Sequence, residues 1–211
     1  THFPASRITV YLNNLASALH NRIYRNKREK WMRIVTFWTK EIPSVMRDAR
    51  RELLVSLMIF IVSALVGVVS VAGDPDFVRL VLGDSYVDMT LANIADGKPM
   101  AVYDGSPEIP MFLGITLNNV MVSFNCFAMG ILTSFGTGYM LLTNGMMVGA
   151  FQTFFYQHGL LWESTLAIWL HGTLEIWAII VAGAAGLALG NGWLFPGTYS
   201  RLESFRRGAG R

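Results

Sequence analysis

Charge is what this sequence has least of. Only 15% of its 211 residues are Asp, Glu, Lys or Arg, where a soluble domain carries about 25%. None of the four occurs between Ile109 and Trp162, a run of 54 residues. One bilayer crossing needs about 20 apolar residues, so that run holds two crossings and a short turn, which argues against a soluble domain. Cysteine is nearly missing as well: Cys126 is alone in an apolar run, so an internal disulfide is excluded and a small buried apolar residue is expected. Nucleophile-elbow, Walker and dinucleotide patterns do not occur, and the Gly-rich stretches fall inside apolar segments. Ser123 and Ser134 have no evident base partner, so no catalytic residue, cofactor or resident metal is expected. A charged n-region followed by an apolar h-region is not visible, so a cleavable signal peptide is not expected.

What the chain does have is long apolar runs, 53% apolar residues in all. They predict an all-α membrane protein, a bundle of about four transmembrane helices over residues 53–72, 112–133, 139–156 and 164–194. Gly73-Asp74-Pro75 ends the first, with Asp74 placed to cap a following helix and Pro75 at its first position. Ser134 to Gly138 breaks the second from the third, His158-Gly159 marks the next turn, and Phe195-Pro196-Gly197 stops the fourth.

The flanking segments differ in sign. Residues 1–51 form a polar, basic region in which Leu12, Leu15, Leu19 and Ile23 recur at helical spacing beside Arg22, Arg25, Lys27, Arg28, Lys30 and, further on, Arg33. Trp31, Phe37 and Trp38 suit the headgroup region, and Pro43 is expected to break the pattern with a second helix after it. Amphipathic helices on an anionic, cytoplasmic membrane surface follow, with membrane lipids as partners; a nucleic-acid partner is not expected. Between Arg22 and Arg51 there are ten Lys or Arg against three acids, whereas residues 73–111 carry two basic and seven acidic residues. Positive charge stays inside, so the N-terminus is expected in the cytoplasm and the acidic 73–111 loop, with its surface helix, outside. Four crossings return the basic tail, 198–211, to the cytoplasm.

Close helix approach has evident sources. Gly145 and Gly149 form a Gly-xxx-Gly step in the third crossing, and Ala178, Ala182, Gly186 and Gly190 form a small-residue ridge in the fourth, a candidate surface for a homodimer. Costly residues are fewer. Asn118, Asn119 and Asn125 lie in the second crossing, Asn144 and Gln152 in the third, and His171 and Glu175 on one face of the fourth. A carboxylate at a helix centre costs roughly 2.5–3.5 kcal/mol, so Glu175 needs a proton, a partner or a wet cavity. Asn118, Asn119, Asn144, His171 and Glu175 form a candidate buried polar cluster with three readings: a clasp that fixes helix register, a proton- or ion-linked transport path, or a metal-dependent hydrolytic site. The last needs more than the single His and carboxylate of His171-Gly-Thr-Leu-Glu175.

These polar helices resemble the stage II sporulation protein M family. The resemblance rests on Asn118-Asn119, Phe127-Ala128-Met129-Gly130, Gly136-Thr137-Gly138, and Asn144-Gly145 followed by Gly149. It continues through His171-Gly172-Thr173-Leu174-Glu175, Ala182-Gly183-Ala184-Ala185-Gly186, and Phe195-Pro196-Gly197 with Arg201. Upstream, Tyr11-Leu12-Asn13, His20, Ile23-Tyr24-Arg25, Pro43 and Arg47 are also similar, so it extends over residues 8 to 201. The resemblance implies a bacterial inner-membrane protein without established enzymatic activity. It implies a scaffold beside peptidoglycan-degrading envelope enzymes, or one serving MoxR-type ATPases and von Willebrand A-domain proteins. It also implies a chain that continues past Arg211 into another apolar segment.

Overall fold

A computed structural model describes residues 7–23, 31–99, 101, 108–198 and 200–209. Every element among them is helical, in two compact units, Thr1–Ser44 and Val45–Arg211. The first holds α1 (Arg7–Ile23) and α2 (Met32–Thr36), then a π-helical turn, Phe37–Glu41. Leu12, Leu15 and Leu19 of the apolar stripe are all exposed, as are Trp31 and Trp38. The unit boundary falls inside α3 (Ile42–Asp48), earlier than the 51/52 division expected from charge. Pro43 does not end a helix: helical backbone runs on from the π-helical turn, where Ile42 N still donates to Phe37 O, into α3, and a π-turn just ahead of a proline takes up the bond its missing N–H cannot make.

The second unit is built on four long helices, α4 (Arg50–Gly73), α7 (Glu108–Leu132), α8 (Ser134–Gln157) and α9 (Leu161–Leu194), with α5 (Phe77–Leu82) and α6 (Asp84–Ala95) between the first two and α10 (Arg201–Ala209) after the last. Among the described residues three segments are long and apolar enough to cross a membrane: Arg50–Gly73, Pro110–Leu132 and Gly172–Leu194. The remaining expected span, 139–156, lies in α8. That helix has ample length, but Thr143, Asn144, Gly145, Gln152 and Thr153 dilute its hydropathy.

Side-chain sizes set the helix directions. Gly145 lies against the backbone and Ser63 of α4, with Phe60 O 2.6 Å from where its Cβ would stand; Gly149 lies against Ala64, and Gln157 Nε2 donates to Val71 O at 3.2 Å. Residue numbers rise together, so α4 and α8 run parallel. Likewise Asn119 meets Glu175 and Gly130 meets Gly186, so α7 and α9 run parallel. Leu141 packs at Gly183, Thr137 at Gly186 and Ser134 at Gly190, so α8 and α9 run antiparallel. Glycine permits these approaches because a methyl at Gly67, Gly130, Gly149 or Gly190 would collide with neighbouring backbone. Phe60, Cys126, Leu141, Ile179, Ile180 and Leu187 fill the centre.

The acidic connection rests on the bundle. Val78 and Val87 of α5 and α6 are buried with Val71, Ala150, Phe154 and Phe155 at the ends of α4 and α8. Gly83 turns the chain between them with φ +87°. Arg79 bridges both helices, 2.8 Å from Asp88 and 3.3 Å from Asp84, and these bonds, Asp88 foremost, raise its pKa above the ordinary value. Asp74 does not cap α5 as expected. Its Oδ1 accepts from Asp76 N at 3.0 Å, closing a turn that delays the helix to Phe77. The expected turn at Gly97 is present (φ +68°), and that at Asp104–Pro107 lies outside the described residues.

Candidate functional site

Lipid offers no hydrogen bonds, so each polar side chain inside an apolar helix must find a partner in the protein. Most bond the carbonyl one turn back: Ser63 to Ile59, Thr153 to Gly149, and Asn144 to Met140 at 2.7 Å. A second group links helices. Ser56 Oγ donates to Ile180 O at 2.7 Å, Thr137 Oγ1 to Cys126 O at 2.9 Å, and Ser134 Oγ to Asn191 Oδ1 at 2.8 Å. The link with a carboxylate joins the parallel pair: Asn119 Nδ2 donates to Glu175 Oε2 at 2.7 Å, while also reaching Ile115 O at 3.0 Å. Both side chains are half-buried.

Asn119 lies well inside its span, whereas Glu175 is three residues, about 5 Å, from Gly172 at the start of its own. Asn119 is nine residues from Pro110 and thirteen from Leu132, about 14 Å and about 20 Å along the span. The Glu175 carboxylate accepts a bond from an amide that gives up nothing else, since Asn119 keeps its own-helix contact. One turn further along the same face, Ser123 Oγ is buried without a hydrogen-bond partner among the described residues.

The candidate cluster therefore contracts. The structure brings Asn119 and Glu175 together but not Asn118, which is exposed, or Asn144, which is committed to its own helix. His171 lies one turn before Glu175 on α9, with its side chain outside the described atoms. Among the described residues no three His, Cys, Asp or Glu converge as a metal site. Of the basic residues, Arg33 lies on α2 and Arg22 on α1 with its side chain outside the described atoms; Arg25, Lys27, Arg28 and Lys30 lie outside the described residues.

The small-residue ridge is spent largely within the chain. Gly186 faces Thr137, Cys126 O and Gly130, and Gly190 faces Ser134, leaving Ala178 exposed. The glycine end thus packs against two helices of the same chain, while Ala182 stays half-buried. Sequence reasoning gave no sign of an apolar groove of about 320 Å³ lined by Met46, Leu53, Phe127, Ile131, Ala188 and Gly208. It exists because α10 folds back along α9, with Gly208 at Ala188 and the Arg201 guanidinium 5.9 Å from the Trp193 ring.

A bundle of apolar helices, paired in parallel by glycine contacts and linked by buried hydroxyl and amide bonds, defines a helical integral membrane protein. The chain belongs to the stage II sporulation protein M family, whose model matches residues 56–211. That stretch contains all of α5–α10 and most of α4, and it begins downstream of residue 8, where the resemblance read from sequence starts. No curated protein and no solved structure matches the chain.

Proposed function

We propose that this protein is a scaffold of the bacterial inner membrane that positions partners on the two faces of the bilayer. The observation that carries the reading is how the buried polar atoms are used: Ser56, Thr137, Ser134, Asn119 and Gln157 each tie one helix to another. Such bonds hold a fixed arrangement rather than line a passage. In this reading α8 is the fourth crossing. α7 and α9 are parallel, so the chain must climb back across the bilayer between them, and α8 is the segment that does so. The basic N-terminal region then lies in the cytoplasm and receives an ATPase or A-domain protein, while α5 and α6 face envelope enzymes outside.

A pull-down from native membranes in mild detergent tests this, with mass spectrometry of what co-purifies. A stoichiometric ATPase, A-domain protein or wall enzyme is expected. Protein recovered alone under repeated mild conditions overturns the scaffold reading. Reversing charge at Arg25, Arg28 and Arg33 should weaken the cytoplasmic partnership and leave insertion intact.

A second reading is favoured by one local observation, Glu175 in an apolar helix with the Ser123 hydroxyl, unpartnered among the described residues, beside its partner. It makes the pair a proton- or ion-linked site. Proteoliposomes should then show a flux that Glu175→Gln abolishes, and no flux from the wild type under several gradients rejects it.

A further inference from the structure

α7 is the least covered of the apolar spans: 11% of its window is buried, against 28% in α4 and 44% in α9. Its uncovered surface is not simply apolar. Asn118 and Asn125 are both exposed, and among the described residues neither side chain has a hydrogen-bond partner. They lie about 12 Å from the Pro110 end and about 10 Å from the Leu132 end, well inside the hydrocarbon. Facing lipid, two carboxamides at that depth would lose their hydrogen bonds with water and gain none. Gly114, Asn118, Met121 and Asn125 are spaced four, three and four apart, the repeat of a helix–helix seam. Met121 is 63% exposed, and a Cβ at Gly114 would meet nothing within 4 Å, so the seam is open along its length.

We infer that α7 pairs with α7 of a second copy of this chain, with Asn118 against Asn118 and Asn125 against Asn125. Copies inserted in the same orientation are related by an axis along the membrane normal, which brings identical residues together at equal depth. The residue placed there must therefore complement itself. A carboxamide does, since it donates through its nitrogen and accepts through its oxygen. A partner of different sequence would need matching polar groups at two depths. The glycine end of the α9 ridge is less open to a second copy, because Gly186 and Gly190 are already packed within the chain. The inference rests on the membrane reading alone and stands whether or not the protein is a scaffold.

Disulfide trapping in native membranes tests it with the full chain. Cys126 is buried and is replaced by Ala, and Met121→Cys is added on the seam. Oxidation should give a band at twice the 23.5 kDa chain mass. Leu65→Cys on α4, 58% exposed but off the seam, should not. Asn118→Leu with Asn125→Leu should cut the trapped fraction roughly tenfold, and the corresponding Gln pair, which keeps the amides, should retain most of it. Leu on a lipid-facing surface favours insertion, so the loss is not one of folding. The inference is overturned if Met121→Cys gives no dimer, if Leu65→Cys gives as much, if the Leu pair leaves trapping unchanged, or if the trapped species has the mass of a different partner.

Discussion

The two parallel helix pairs in this bundle are built differently. α4 and α8 meet through Gly67, Gly145 and Gly149, where backbone touches backbone and nearby hydroxyls such as Ser63 and Thr153 turn back onto their own helices. α7 and α9 meet closely around Gly186 alone, against Gly130 and Cys126 O, and add the Glu175 carboxylate held by the Asn119 amide. The first pair is capped by the Phe154–Phe155 cluster beneath α5 and α6, whereas α7 in the second stays largely uncovered. Without a hydrophobic force between helices in lipid, close packing and polar bonds are the two available adhesives. The first pair relies mainly on packing, with one polar bond from Gln157 to Val71 O at its end. The second leans on polarity and leaves polar atoms over.

The largest effect should come from filling the closest contact. Gly149→Leu drives a side chain into Ala64 and should destabilise the bundle by about 3 kcal/mol or more, read as a lowered thermal midpoint in detergent or as failure to accumulate. If Gly149→Leu is tolerated, the α4–α8 pair is not packed through glycine. Removing one carbonyl link by Ser56→Val should cost about 1 kcal/mol in the same measurement. The polar pair should be weaker still when its acceptor is kept. Glu175→Gln preserves a bond to Asn119 and should shift the midpoint little, while a double-mutant cycle of Asn119→Leu with Glu175→Leu should give a coupling of about 0.6 to 1.7 kcal/mol. Zero coupling would make this bond ornamental and leave Gly130–Gly186 as the adhesive. Gly138→Ala, with nothing within 4 Å of the added methyl, should change stability by less than about 1 kcal/mol.

Outside the spans, Arg79→Ala should loosen α6 slightly, seen as faster amide exchange at Val87 to Leu91 and diminished by salt. Because its bonds to Asp88 and Asp84 raise the Arg79 pKa, the contribution of this group is complete below its ordinary value. It is lost only in base stronger still. Titration from neutral to moderately alkaline pH should leave α6 exchange unchanged.

Composition alone determined that the chain is a helical membrane protein, because scarcity of charge over a length of about 20 residues per crossing admits few other folds. Four long helices were legible from runs such as Leu53–Ala72, and their ends from Gly-Asp-Pro, His-Gly and Pro-Gly punctuation. Even Gly145 and Gly149 announced a close approach. What no local pattern contained was direction and partner choice. That α7 runs parallel to α9, that Asn119 rather than Asn118 or Asn144 meets Glu175, and that Gly186 and Gly190 are used inside the chain depend on the rotation of each helix about its axis. A turn of 100° per residue decides whether an Asn faces a carboxylate or lipid, and neighbours far along the chain fix that angle. Pro43 and Asp74 show the same limit at smaller scale, since a proline just after a π-turn in a continuing helix and an Asp closing a turn read in sequence like a stop and a cap. Sequence placed the polar residues at their depths in the membrane, and only the packed bundle decided which of them are satisfied.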